Sequence, residues 1–291
     1  MSVDQVGAMT LRPLVRLFDA VSGEDDASTA ITPWVNAVGL KQARRRHHAL
    51  AYCVECLADG SFARQCWRLS FHTWCPNHGR PLMDRCLRCS AAFVPHLTRR
   101  SLRHCHVCGE MLRPLAAHPA CRDAVDLQAS MDAWLATALN GCVESRERLT
   151  ALRVLVSIGL HARHARPDHA PLPTRPEIPG HVRLEVLHMA PRAVVMEWLA
   201  KLVQDWPGSF RLLAEGIGLT QRSFRRTGVI DMASGWLRQE VEQLPQGHPR
   251  HRGRAAEVFT AQLVQARGEA GSNWRAKRAE LLMGRVGRHG N

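Results

Sequence analysis

Cys53-Val54-Glu55-Cys56 is the first of four short sequences in which two residues separate a pair of potential metal ligands. The other three are Cys75-Pro76-Asn77-His78, Cys86-Leu87-Arg88-Cys89 and Cys105-His106-Val107-Cys108. At this spacing one tight turn directs both side chains at a single tetrahedral ion, and zinc accepts both thiolate sulfur and imidazole nitrogen. The pattern therefore predicts two zinc ions per chain. An ion with four protein ligands has no open position for a substrate, so both sites are predicted to be structural.

The spacing leaves the wiring of the two sites open. In a sequential wiring, the first two pairs hold one ion and the last two pairs hold the other; the two ligand sets are Cys53, Cys56, Cys75, His78 and Cys86, Cys89, Cys105, Cys108. A cross-braced wiring, in which the first pair shares its ion with the third, fits the same spacing. Both wirings predict a small module that its zinc ions stabilise.

Other cysteines and histidines lie outside these pairs. Cys66, Cys121 and Cys142 have no partner at ligand spacing and are interpreted as core thiols, because free cysteine packs as a small hydrophobic residue. Three histidines close to the pairs are interpreted as surface groups or as groups that support the ligands; they are His72, His104 and His106.

Composition narrows the class of protein. The chain has 291 residues and a formal net charge of +13, which favours an acidic partner such as nucleic acid. It has no long uncharged apolar run and no secretory signal at its N-terminus, which predicts no membrane span. Paired cysteines in a reducing compartment indicate metal binding rather than disulfides. These features predict a bacterial cytoplasmic protein.

The pattern of apolar residues predicts a mainly α, multi-lobed chain with a tandem zinc-ribbon or zinc-finger module. We expect a short helical N-terminal region at 1–48, the module at 49–118 and a helical region at 119–165, with two helices broken near Gly141. Five prolines make 166–180 a linker, since proline cannot continue a helix or a central strand. Residues 181–291 are predicted to form a helical C-terminal domain.

A helix-turn-helix is a candidate within that last region, over Leu213–Phe224. Ala214, Gly218 and Phe224 lie where this motif takes a small residue, a turn glycine and a core residue, and Thr220 is a candidate cap for the second helix. Four side chains are then predicted to face DNA: Gln221, Arg222, Arg225 and Arg226. The alternative is a basic amphipathic helix whose arginines are only solvated.

Residues 50–112 resemble the TniQ family. The resemblance rests on Tyr52–Asp59, on the Arg-x-x-Trp-Arg block at Arg64–Arg68, on the His-Gly-x-x-Leu step at His78–Leu82, and on the order of the ligand pairs up to Leu112. The segment Trp198–Phe210, with Asp205-Trp206-Pro207 and Phe210, also resembles the helical region that follows in this family. Val54 stands where the family usually has proline, and the Glu-Ser, Ser-Trp and Arg elements that commonly open these chains are missing.

The resemblance implies a non-enzymatic accessory protein of transposition. Such proteins mark the insertion site, bind DNA directly or sit on a DNA-bound targeting complex, and recruit an AAA+ ATPase regulator of the TniB/TnsC type. The sequence leaves open whether the chain forms a homodimer.

A free-standing DNA-binding transcription regulator, using the zinc module and the helix-turn-helix, is the alternative function. An enzyme is not favoured, because the chain has no HExxH sequence, no deaminase-type ligand set and no phosphate-binding glycine loop.

Overall fold

The computed structural model describes residues 11–19, 32–36, 40–42, 45–47, 50–60, 62–98, 101–115, 121–161, 183–216, 218–225 and 235–246. The chain divides into two compact units, Met1–Pro245 and Gln246–Asn291, and every described helix and strand belongs to the first. The described part is mainly helical, as the sequence predicts. The predicted linker at 166–180 and the residues after 246 lie outside it.

Eight α-helices and one pair of short strands make up the described elements. The helices are α1 (Arg12–Asp19), α2 (Val54–Asp59), α3 (Arg122–Leu139), α4 (Val143–His161), α5 (Met189–Gln204), α6 (Gly208–Gly216), α7 (Gln221–Arg225) and α8 (Gly235–Glu242). Short 3-10 helices lie at Gln65–Arg68, Pro95–Leu97 and Leu184–Val186. The strands β1 (Leu40–Gln42) and β2 (Arg45–His47) pair antiparallel, with Leu40 opposite His47.

The helices α3, α4 and α5 pack together around the larger of two hydrophobic cores. The break that the sequence predicts between α3 and α4 is present, and Gly141 lies there with a φ of 92°, a conformation that favours glycine. The apolar residues of α3 and α4 recur at helical spacing and meet in this core; Leu127, Met131, Leu135, Leu149, Leu152 and Leu155 are all buried. Full burial of one such side chain stabilises the fold by about 1.5–3 kcal/mol.

The N-terminal helix α1 adds to the same core. Leu14 and Phe18, four residues apart on one face, are 4% and 2% exposed. This helix ends at Asp19. Thus the short apolar repeat before the ligand pairs forms the helix that its spacing indicates.

The smaller core lies among the four ligand pairs. Tyr52, Leu57, Trp67 and Leu82 are each at most 1% exposed there. Asp84 joins this core to the helices, because its carboxylate accepts a hydrogen bond from the backbone N–H of Met189 at 3.1 Å and lies 3.3 Å from His188 Nδ1. An acidic side chain at the start of α5 also offsets the positive end of the helix dipole.

None of the helices in the described part of the chain is both long enough and apolar enough to cross a membrane.

Candidate metal centres

Three of the four ligand pairs form the same tight turn. In each turn the first ligand residue accepts, through its carbonyl, a hydrogen bond from the N–H four residues later; the bonds Gly79 to Cys75, Ser90 to Cys86 and Gly109 to Cys105 are all 2.9 Å. The residue just after each pair has a positive φ, 58° at Gly79, 57° at Ser90 and 70° at Gly109. This turn directs two side chains to the same side, as ligand spacing predicts.

The first pair is built differently. Cys53 is the residue before α2, and Cys56 lies in its first turn, so a helix start rather than a tight turn positions these two thiols. Val54 is the first residue of this helix. The helix start therefore places both cysteines where they join one cluster.

The first cluster consists of Cys53, Cys56, Cys75 and His78, whose ligand atoms lie within 4.8 Å of one another. The Nδ1 atom of His78 lies 3.7 Å from Cys53 Sγ, 3.3 Å from Cys56 Sγ and 3.5 Å from Cys75 Sγ. The sulfur atoms of Cys56 and Cys75 are 3.5 Å apart. The histidine nitrogen and the sulfurs therefore surround one point.

The second cluster consists of Cys86, Cys89, Cys105 and Cys108, again with all four sulfurs within 4.8 Å. Cys86 Sγ lies 3.8 Å from Cys108 Sγ, and Cys89 Sγ lies 3.6 Å from Cys105 Sγ. The ten cysteines of the chain are free thiols. Both groups of four therefore follow the sequential grouping and not the cross-braced one.

These distances fit a tetrahedral zinc ion. With Zn–S bonds of about 2.3 Å, two sulfurs of a regular tetrahedron lie about 3.8 Å apart, whereas a disulfide bond is about 2.05 Å long. The observed separations of 3.5–3.8 Å agree with the first value. Soft sulfur ligands with at most one imidazole select zinc over magnesium or calcium. The two clusters hence fit a metal, and zinc fits them best.

Asp59 orients the histidine ligand of the first cluster. Its Oδ2 atom lies 3.1 Å from His78 Nε2, which leaves Nδ1 as the nitrogen that faces the three sulfurs. A carboxylate on the far nitrogen fixes the tautomer and makes the imidazole a better ligand. Asp59 ends the motif that begins at Tyr52, but its sequence position alone does not indicate this role.

Proton binding and metal binding compete at the first cluster. Contacts with Cys53 and His78 lower the pKa of the Cys75 thiol to about 4, and the same contact with Cys75 raises the pKa of Cys53 and of His78. Thiolates and a neutral imidazole are the forms that bind a metal ion, so metal affinity is expected to fall as the pH falls.

Gly109→Ala is expected to destabilise the second cluster by about 1 kcal/mol, because an L residue with φ near 70° is strained. A Cβ atom at Gly109 meets no atom within 4 Å, so the cost is in the backbone alone. Chemical denaturation of the zinc-loaded protein measures it. Ser90→Gly, the reverse change at the matching position, should not lower the free energy of unfolding, and a loss there as large as that of Gly109→Ala would contradict the argument.

The cysteines outside the clusters do not all lie in the core. Cys66 and Cys121 are half-buried and pack against it, but Cys142 is exposed, so its interpretation as a core thiol is wrong. Cys142 lies just before α4, at the exposed break between α3 and α4. A hydrogen bond with Ser145 lowers its pKa. Burial raises the pKa of Cys66 to about 11.

The three histidines near the ligands differ among themselves. His72 is 1% exposed, and its Nε2 lies 2.7 Å from Asp132 Oδ1 of α3. It therefore joins the ligand module to the helical core rather than lying on the surface. His104 and His106 are half-buried, and neither belongs to a cluster.

The candidate helix-turn-helix corresponds to α6, a turn at Gly218 and α7. Ala214 and Phe224 are buried and Gly218 has a φ of 65°, as the motif requires. The cap differs from the predicted one: the backbone N–H of Thr220 donates to Ser223 Oγ at 3.2 Å, and the Thr220 hydroxyl lies 3.4 Å from the same Ser223 oxygen.

The four side chains predicted to face DNA have different surroundings. Arg222 is exposed. The amide nitrogen of Gln221 donates to the carbonyls of Glu242 at 2.9 Å and Leu244 at 3.0 Å, so these donors are used within the fold. Arg225 ends α7, but its side chain and all of Arg226 lie outside the described residues.

Comparison with known proteins gives one finding. Residues 1–82 match the family model described as TniQ. The match begins at the N-terminus, includes the whole first cluster and ends at Leu82, before the second cluster. No curated protein and no solved structure matches the chain.

Proposed function

We propose that this protein, whose residues 1–82 match the TniQ family model, is a target-selection factor of DNA transposition. The family indicates a transposition-associated accessory protein. In our proposal the chain binds DNA, or a complex already bound to DNA, and recruits an AAA+ ATPase that regulates the transposase. The observation that carries the proposal is the family match over the segment that contains the complete Cys53, Cys56, Cys75 and His78 cluster.

The geometry of the two clusters supports a non-enzymatic role. Each cluster supplies four ligand atoms to one point, which leaves a zinc ion no position for water or substrate. Each also connects segments that are far apart in sequence, as Cys56 and Cys75 do at 3.5 Å. We infer that the ions, proposed as two zinc ions per chain, fix the shape of a binding surface.

The surface around the second cluster supports a protein partner. Leu87, Val107 and Met111 are 55%, 65% and 49% exposed, although large apolar side chains favour burial. Leu87 and Met111 line one cavity of about 370 Å³ with Arg88, Glu110 and Arg113. Exposed apolar groups rimmed by charges are typical of a surface that binds another protein.

The net charge of +13 supports DNA as the other partner. A direct test immobilises target DNA and measures how much of the ATPase stays bound, with and without this protein. We expect retention of the ATPase only when the protein is present. If the folded, zinc-loaded protein does not retain the ATPase on DNA, the proposed recruiting role is wrong.

The second candidate function is a free-standing DNA-binding transcription regulator, and the α6–turn–α7 arrangement with an exposed Arg222 favours it. The two functions differ in what they need. A regulator binds a defined operator tightly without an ATPase, whereas a target-selection factor acts together with one. Retention of the ATPase on DNA therefore separates them, because a regulator binds its operator and retains no ATPase.

Arg222→Ala is expected to weaken DNA binding and to reduce the slope of log K against log salt concentration by about 1, because one phosphate contact is lost. Fluorescence anisotropy at several salt concentrations measures both quantities. Arg122→Ala, the same change at an exposed arginine that begins α3, serves as the control. Equal affinity and equal slope for the Arg222 variant and the wild type would exclude α7 as a DNA contact.

A further inference from the structure

The two clusters differ in how far solvent reaches their sulfurs. In the first cluster Cys53, Cys56 and Cys75 are each 1% exposed. The ligand that solvent does reach is the imidazole of His78, whose side chain is 25% exposed. In the second cluster Cys86 and Cys105 are buried, Cys108 is half-buried and Cys89 is exposed. Solvent therefore meets a nitrogen ligand at the first cluster and a thiol at the second.

The ligand set of the second cluster is also the more reactive of the two toward oxidants. Four thiolates carry more negative charge than three thiolates and a neutral imidazole. A zinc ion therefore leaves more negative charge on the sulfurs of the second cluster than on those of the first. Thiolate sulfur is the nucleophile toward peroxides and other oxidants, and its oxidation depends on exposure. Imidazole does not undergo this thiol chemistry.

We propose that the second cluster is a site of thiol oxidation, in which a peroxide attacks Cys89 first and the cluster releases its metal while the first cluster retains its own. The proposal rests on the inference that both clusters hold zinc. It assigns to Cys89 a reactivity that the buried cysteines of the first cluster lack. Oxidation would thus reshape the surface of Leu87, Val107 and Met111 without unfolding the first cluster.

The oxidation takes place in two steps. The Cys89 sulfur attacks one oxygen of hydrogen peroxide, the O–O bond breaks, and the sulfur becomes a sulfenic acid while the leaving hydroxide takes up a proton to form water. The Cys105 sulfur, 3.6 Å away, then attacks the Cys89 sulfur and displaces the second oxygen, which also leaves as water after protonation. Two thiolates give up two electrons, and the peroxide accepts them. Two sulfurs that form a disulfide no longer act as thiolate ligands.

One other exposed thiol competes for the oxidant. Cys142 is exposed, and its lowered pKa makes its thiolate more abundant. It belongs to neither cluster, so Cys142→Ser removes the competition without changing a ligand. Cys66 needs no change, because burial raises its pKa and slows its reaction.

The experiment uses the full chain with Cys142→Ser. Metal analysis before oxidation comes first: fewer than two zinc ions per folded chain would contradict the metal sites themselves rather than their oxidation. Hydrogen peroxide is then added, a chromogenic chelator follows zinc release, and alkylation with mass spectrometry reports which cysteines have reacted. We expect one ion per chain to leave in step with the loss of free Cys89, and Cys53, Cys56 and Cys75 to stay unmodified. A thiol reductant with added zinc should restore the second ion.

A matched pair of variants tests the role of Cys89. Cys89→His replaces the exposed thiol by an imidazole and should slow zinc release by about ten-fold or more, since attack depends on access to the thiolate. Cys108→His makes the same change at a half-buried ligand and should leave release fast. The proposal is overturned if both ions leave together, if the first cluster loses its ion first, or if Cys89 stays unmodified during release. If a variant fails to bind two ions, the alkylation pattern of the Cys142→Ser chain alone tests whether Cys89 reacts first.

Discussion

Cys53→Ser is expected to remove about one zinc ion per chain and to unfold the module around the first cluster. A serine hydroxyl at neutral pH does not replace a thiolate ligand, and Cys53 is only 1% exposed, so bulk water reaches the site poorly. A structural zinc ion contributes about 10–16 kcal/mol of apparent binding free energy. That is comparable with the whole stability of a domain, about 5–15 kcal/mol.

The neighbours of Cys53 make the effect spread beyond the ion. Tyr52 is fully buried, its backbone pairs with Met83, and its hydroxyl donates to the carbonyl of Arg85 at 2.8 Å. Loss of the first cluster therefore releases the segment that leads into Cys86. Cys86→Ser should also remove one ion, but it leaves the first cluster and α2 in place.

Metal analysis and limited proteolysis measure this prediction. Cys66→Ser is the matched control, because it makes the same chemical change at a half-buried cysteine that belongs to neither cluster. The control should keep two zinc ions and resist the protease as the wild type does. An unchanged metal content in Cys53→Ser would remove this residue from the site.

The ligand pairs were predictable from the sequence because each is a local feature. Two-residue spacing and a following residue that accepts a positive φ, such as Gly79 or Gly109, specify a turn within five residues. The grouping of the pairs was not predictable. It depends on long-range pairing such as that of Tyr52 with Met83, which the spacings of eighteen and fifteen residues between pairs do not determine.

The helices α3 and α4 were predictable for a similar reason, since apolar periodicity and Gly141 specify them locally. The candidate helix-turn-helix was harder to read. Gly216 is the last residue of α6 rather than an interior one, so the helix avoids the cost of an interior glycine. The side chain of Gln221 donates to carbonyls that lie more than twenty residues later in the sequence. A pattern of neighbouring residues does not predict such partners.

The polar contacts between distant segments were missed altogether. Trp34 is 1% exposed with a φ of 63°, yet nothing around it in the sequence distinguishes it from other tryptophans. Its backbone N–H donates to Glu185 at 3.0 Å, and its indole N–H donates to the carbonyl of Leu149 at 3.1 Å. A glutamate near Pro-rich sequence predicts a solvated side chain, so its burial is visible only in three dimensions.

Glu185→Ala is expected to lower the free energy of unfolding by about 3–5 kcal/mol, the usual cost of breaking a buried ion pair from one side. Glu185 is fully buried and accepts hydrogen bonds from Arg153 at 2.8 Å and 2.7 Å and from the N–H of Trp34. Alanine leaves all three donors without their acceptor. The arginine is only 18% exposed, so water replaces the carboxylate poorly.

A second arginine increases the cost. Arg192 is fully buried, burial lowers its pKa to about 10, and the negative charges of Asp84 and Glu185 oppose that shift. Within the described part of the chain, its Nε and Nη1 atoms have no hydrogen-bond partner. Removing Glu185 therefore leaves this guanidinium with Asp84 as the remaining negative charge that stabilises it.

Urea unfolding of the zinc-loaded protein measures the loss. Glu144→Ala is the matched control: its carboxylate also lies 2.7 Å from an arginine, Arg148, but its side chain is 71% exposed, and such pairs contribute little. Replacing both partners, as Glu185→Leu with Arg153→Met, should recover only part of the loss, because it removes the unpaired charge of Arg153 but leaves Arg192 and the Trp34 N–H without Glu185. If Glu185→Ala lowers the free energy of unfolding no more than Glu144→Ala does, the buried carboxylate of Glu185 does not hold the segment around Trp34 against the helices.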